Sequence, residues 1–139
     1  MTRIDFYILG STGTDDRPRL ACRLAEKAWR AGHRVYINAS THGQAQMLDQ
    51  MLWTFRDQSF VPHALASADP DAPVVIGFET EPNGPADTLI NLAGSVPPFF
   101  SRFDRTLELV DADSERRAQS RERFKFYRDR GYHLETHKL

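Results

Sequence analysis

Cysteine is nearly missing from this chain. Cys22 stands alone, so no disulfide can close within it. The fold therefore has to be held by a packed core, which suits a reducing, cytoplasmic setting. Long apolar runs are missing too: nothing approaches the roughly 18 residues of a membrane helix. The opening MTRIDFYILG is interrupted by Asp5, runs into polar residues and has no processing site, so it does not read as a signal peptide. Nor does one sign of charge dominate. With 18 Lys and Arg against 19 Asp and Glu, the formal net charge is −1. No field over the whole molecule draws it to nucleic acid, and any basic site must be local.

What is present reads as one domain. The 139 residues support one core, and 40% hydrophobic with 27% charged residues is ordinary for a globular chain. Ile4 to Leu9 is an apolar strand stopped by Gly10. Pro18 opens a helix to about Ala31, with Leu20, Leu24 and Ala28 at helical spacing and Gly32 as its stop. Arg34 to Asn38 is a second strand, and Thr41 caps a helix to about Phe55 that buries Met47, Leu48, Met51, Leu52 and Phe55. Residues 56 to 72 look irregular.

Further strands are expected at Val74–Phe78, Thr88–Leu92 and Thr106–Val110, with a short helix over Phe99–Phe103. Ser114 caps a last helix ending near Gly131, and 132–139 reads as a partly ordered tail. Alternating strands and helices predict an α/β fold in three α/β/α layers, Rossmann-like, on a mostly parallel (mixed) sheet of about five strands.

Chemical motifs are sparse. Gly10-Ser11-Thr12-Gly13 occupies the strand–helix turn where phosphate loops sit. It has neither G-x-G-x-x-G spacing nor a following Gly-Lys-Ser/Thr, so an ordinary connection is the better reading. A nucleotide-binding α/β enzyme using Gly10 to Gly13 is the alternative function. His33, His42, His63, His133 and His137 are scattered. His133 and His137 have half of a zinc-finger spacing but no cysteine pair completes it, so no metal site is expected. Cys22 falls on the buried side of its helix, as a small core residue rather than a nucleophile. No cofactor is expected.

Two groups stand out. Arg117, Arg121, Phe124, Lys125 and Arg128 fall on one helical stripe within roughly 100° of arc. Cations around an aromatic ring suit a carboxylate attached to an apolar group. The same stripe also reads as a solvated basic face at a helix end, or as a single-strand binder. The second group is Trp53, Phe55, Phe60, Val61, Pro62 and His63. Such aromatics either fold back on the core or form a patch for a protein partner.

At these residues the sequence resembles the chi subunit family of bacterial DNA polymerase III. The matching segments are FYIL, KAWRAGHRVYI, LDQMLWTFRDQSFVPHALA and RERFKFYRDRGYHL, in family order over essentially the whole chain. The resemblance implies a non-enzymatic accessory subunit of the polymerase holoenzyme, associated with the clamp loader and without metal or nucleotide. It also implies that the last helix holds the acidic, phenylalanine-ended C-terminal tail of single-stranded DNA-binding protein. Carried over, Arg117, Arg121, Phe124 and Lys125 form that site with Val110 as an apolar wall, and periodicity adds Arg128. Position 124 keeps the ring of a family tyrosine without its hydroxyl. Trp53, Phe60 and His63 would dock the psi subunit, or a helicase-like repair protein at the same surface. Direct, sequence-specific nucleic-acid binding and membrane attachment are not implied.

Overall fold

The computed structural model describes residues 1–58 and 60–139. Ser59, part of the family-like Ser-Phe-Val-Pro-His segment, lies outside the described residues. The elements run β1 (Arg3–Ile8), α1 (Asp16–Arg30), β2 (Val35–Ala39), α2 (His42–Thr54), β3 (His63–Leu65), β4 (Val74–Phe78), β5 (Thr88–Asn91), β6 (Arg105–Val110), α3 (Ser114–Asp129) and β7 (Leu134–Lys138). Seven strands form one sheet in the order β3-β4-β2-β5-β6-β1-β7. Every pairing in it is parallel. The expected α/β/α layering holds, but the sheet has seven strands rather than about five, and it is not mixed.

The handedness of the crossovers places the layers. From β1 to β2 and from β2 to β3 the chain moves one way along the sheet; from β5 to β6 and from β6 to β7 it moves the other. Right-handed connections must then put α1 and α2 on one face and α3 on the opposite face. Side chains follow this division. Val35, Ile37, Val74, Ile76, Ile90 and Leu107 pack with Leu20, Ala25, Leu48 and Leu52 in one core. Ile4, Phe6, Tyr36, Leu89 and Val110 pack with Phe100, Phe103 and Tyr127 in the other. Alternation along each strand produces both cores at once. Gly77 marks a close approach: the Tyr36 ring of the adjacent strand fills the space a Cβ would take.

Three expectations need correction. The segment 132–139 is not a loose tail, because Leu134 to Lys138 pair in register with Ile4 to Ile8 as edge strand β7. Residues 56–72 contain a short strand, β3, on β4. Asp113 rather than Ser114 caps α3, its carboxylate accepting from the Arg116 N–H at 3.0 Å. Thr41 caps α2 as expected, accepting from the Gln44 N–H at 3.0 Å.

Candidate functional site

The last helix is fixed to the sheet before it offers anything to a partner. Arg116 forks onto both oxygens of Asp111, at 2.9 and 2.7 Å, just beyond the end of β6. Burial would raise the Asp111 carboxyl, but hydrogen bonds from Arg116 and the Asp113 N–H hold it below the usual range. One residue on, the Arg117 Nε donates to the Asp111 carbonyl at 3.1 Å, which sets the direction of that side chain.

The inward stripe of α3 is polar. Arg123 Nε meets Glu108 at 2.9 Å and Tyr127 OH donates to the same carboxylate at 2.7 Å. Asn91 Nδ2 reaches both Glu108 oxygens at 3.0 and 3.1 Å, and its Oδ1 accepts from Asn38 Nδ2 at 3.0 Å. Glu108 is fully buried, and burial pushes its carboxyl up against the opposing pull of Arg123, Tyr127 and Asn91. Sequence reasoning missed this network. Its signal was a lone Glu between Leu107 and Leu109, facing Arg and Tyr four residues apart on the last helix.

The stripe singled out in the sequence lies on the flank of α3, beside this inward face. Arg117, Ser120 and Arg121 line a cavity of about 460 Å³ with Val110, Ile8, Gly10 and Lys138. Three expected residues, Val110, Arg117 and Arg121, thus share one cavity. Phe124 is half-buried, with its ring 5.3 Å from that of Phe6, and is not on the cavity wall. Lys125 is exposed and also off the wall. Arg128 is exposed and bound to Asp129 at 3.2 Å. Lys138 was missed because it arrives on β7, the strand that local sequence did not announce.

The aromatic group near α2 splits. Val61 is 2% exposed and Phe55 packs on the core, whereas Trp53 is 56% and Phe60 73% exposed. The His63 side chain is 0% exposed, its ring nitrogens 2.6 Å from the Val61 carbonyl and 2.9 Å from that of Asp49, so, against expectation, it does not itself face a partner. The Trp53 ring sits 4.6 Å from the His63 ring. Val61 is anchored in the core directly beside the exposed Phe60. This patch lies by edge strand β3, and the cavity lies by edge strand β7. At about 4.8 Å per strand spacing, the two edges are roughly 29 Å apart.

The other candidates offer less chemistry. In the Gly10–Gly13 turn, the Asp16 carboxylate fills the space beside Gly13, and Asp15 is the helix N-cap residue. Two acidic residues there disfavour a phosphate. Cys22 is buried and its thiol is pushed up to about 12 by that burial, which suppresses the thiolate. Among the described residues no three His, Cys, Asp or Glu groups come together as a metal site. His133 contacts Glu135 and His137 contacts Asp5, each at 2.9 Å. No helix of the described residues is long and apolar enough to cross a membrane.

The profile of the family described as "DNA polymerase III chi subunit, HolC" matches residues 1–135. The DNA polymerase III subunit chi of Pseudomonas aeruginosa is 45% identical over 139 residues, covering 100% of this chain and 98% of that protein. The DNA polymerase III subunit chi of Escherichia coli K12 is 35% identical, covering 98% and 97%. The Haemophilus influenzae protein of the same name is 34% identical, covering 94% and 93%. Among solved structures, the crystal structure of T4 UvsW superposes with a TM-score of 0.71 at 8% identity, over 99% of this chain and 41% of that one. That likeness concerns the fold.

Proposed function

The chain belongs to the DNA polymerase III chi subunit family, an accessory-subunit family of DNA replication, and on that premise we propose that it is a non-catalytic adaptor with two protein-binding surfaces. One surface, around Arg117, Arg121 and Val110, takes the acidic C-terminal tail of single-stranded DNA-binding protein. The other, around Trp53 and Phe60 with the buried His63 ring packed against Trp53, takes the psi subunit and through it the clamp loader, or a helicase-like repair protein in its place. The setting of this work is cytoplasmic, on the replicating chromosome.

The observation that carries the reading is the cavity itself. Two guanidiniums, a third cation at Lys138 and the apolar wall of Val110 and Ile8 converge on one volume. A terminal carboxylate on a phenyl-bearing residue has matching halves: the fork binds the charge while the wall excludes water from the ring. Phe124 packs against the apolar cluster that holds both Phe6 and the wall residue Val110. Lys125, exposed one turn further along, suits acidic residues upstream in the tail.

The separation of the two surfaces supports bridging. A partner on Trp53 and Phe60 does not overlap one at Arg117 and Arg121, so both can be held together. A polar inner stripe on α3 also keeps Arg123 out of reach of a tail, leaving recognition to the flank.

The test is a titration with a peptide ending in Asp-Phe-Pro-Phe. Micromolar binding, about −8 kcal/mol, is expected for the parent chain. It should weaken as salt rises and weaken further in Arg121→Ala. Equal binding by parent and variant removes Arg121 from the site.

A further inference from the structure

We propose that the outward face of α1 is a third surface, which takes the phosphate backbone of single-stranded DNA without reading its sequence. α1 turns Leu20, Ala21, Cys22 and Ala25 into the core. Its other side presents Arg19, Arg23, Lys27 and Arg30, all exposed. At about 100° per residue these four fall within about 80° of arc, and the first three stand about 6 Å apart along the axis. The helix covers the sheet face opposite α3, so the stripe is separate from the tail cavity.

The second observation is that these charges are uncommitted. Among the described residues, the side chains of Arg19, Arg23 and Lys27 make no hydrogen bond or ion pair. α1 has two acids of its own. Glu26 is buried and already held by Arg30 at 3.7 Å and Arg56 at 2.5 Å. Asp16 turns its carboxylate to Gly13 at the helix start. The neighbouring helix α2 has Asp49 as its one acid, and that faces His63 at 3.6 Å. Like charges four residues apart cost a helix stability, so folding alone does not favour this row. A polyanion laid along it removes the repulsion. In a chain of net charge −1, four cations on one helix face are a local segregation of charge.

The stripe offers charge and nothing else, which narrows the partner. Among the described residues the exposed large hydrophobics are Met1, Trp53, Phe60 and Leu139, none of them on α1. An acidic tail with an apolar end needs a wall for that end, which the α3 flank has and this face lacks. A row of point charges without an anchor suits a polymer of regularly repeated charge, bound through counterion release. With no ring to stack on, the bases go unread. A flexible strand can meet a row about 16 Å long phosphate by phosphate, whereas a stiff duplex touches one exposed helix at fewer points. Three or four such contacts are weak alone. A subunit of a DNA polymerase, held beside DNA by its other contacts, gains them at high effective concentration.

The experiment follows the fluorescence anisotropy of labelled oligothymidylate with the full chain over a series of salt concentrations. The parent should bind at low salt, with a log–log salt slope of about −2 to −3 for three or four phosphate contacts. The triple variant Arg19→Gln, Arg23→Gln, Lys27→Gln keeps good helix formers and relieves like-charge repulsion, so it should melt no lower than the parent. It should bind the oligonucleotide at least tenfold more weakly, with the slope reduced by about 2. It should also keep parental binding of the Asp-Phe-Pro-Phe peptide, while Arg117→Gln with Arg121→Gln should keep parental binding of the oligonucleotide. Failure of this surface and failure of the tail site are thereby read separately. The proposal is overturned if the parent shows no saturable, salt-dependent binding, or if the triple variant binds as the parent does. It is likewise overturned if the Arg117, Arg121 pair carries the loss, or if a duplex of equal length or an oligoglutamate binds more tightly than the single strand.

Discussion

Arg123 reaches from α3 to within 2.9 Å of Glu108 on β6, and the two side chains are 6% and 0% exposed. A buried ion pair of this kind ties a helix to a sheet, yet its two halves are not equivalent when broken. Glu108 can take up a proton, and burial already pushes its carboxyl upward. A guanidinium cannot shed its proton.

Glu108→Leu should therefore destabilise more than Arg123→Met. The first strands a buried cation, at a cost of about 3–5 kcal/mol. The second leaves a carboxyl that can be neutral while still bonded to Tyr127 and Asn91. The double substitution should lose less than the sum of the singles. Urea unfolding of the four proteins measures this, and additivity within error would mean that the pair is not coupled. The pH sign follows from a raised folded pKa. Arg123→Met should gain stability relative to its neutral-pH value as pH falls toward the unfolded carboxyl range near about 4.3.

Asp5 gives the opposite sign. Burial alone would raise its carboxyl, but hydrogen bonds from Arg105, His137 and Arg3 leave it below the ordinary carboxylate range. Its stabilisation is present above the unfolded value of about 3.9 and is lost as pH falls through the depressed folded one. Asp5→Asn should cost about 2 kcal/mol at neutral pH, and the gap from the parent should narrow in strong acid. Denaturant midpoints across pH would show this. A gap that stays constant into acid would mean that the charge of Asp5 contributes nothing.

The same residue shows where sequence reasoning stops. The helices and the apolar strands were legible because periods of two and 3.6 write themselves into local sequence. Strand β7 was not, since Leu134 to Lys138 expose most of their side chains and read as solvated chain. What holds it is distant: the ladder to β1, the His137 contact to Asp5 and the stack of His137 on Tyr7 at 4.5 Å. The candidate cavity suffered likewise. Arg117 and Arg121 share a helix face, but Lys138 joins them only through that long-range pairing. Strand β3 was missed because three residues beginning with His, after a proline, carry too little pattern.

Near α2, stability and recognition should separate cleanly. Val61→Ala removes a buried peg and should cost about 2 kcal/mol. Trp53→Ala and Phe60→Ala touch exposed rings and should stay within about 1 kcal/mol of the parent. If psi docks there, these two should lose most of its binding while melting normally. Calorimetric titration with psi, beside thermal melts, separates the effects, and full psi binding by the Trp53, Phe60 double variant would move the interface elsewhere.

The flank of α3 distinguishes a stripe from a cavity. Periodicity alone ranks Arg117, Arg121, Lys125 and Arg128 as one set, and truncating any of them would then weaken tail binding similarly. The structure ranks them differently. Arg121 lines the cavity and is exposed, so Arg121→Ala should weaken the peptide about tenfold, the loss of one good charged contact. Lys138→Ala, outside the stripe but on the wall, should weaken it by a smaller factor. Arg128 is off the wall and already bound to Asp129, so Arg128→Ala should bind nearly as the parent does. Rising salt should shrink all three differences, since each is a partly exposed charge contact. An Arg128→Ala defect as large as that of Arg121→Ala, with Lys138→Ala unaffected, would show that the ligand lies along the helix surface and not in the cavity between α3 and β7.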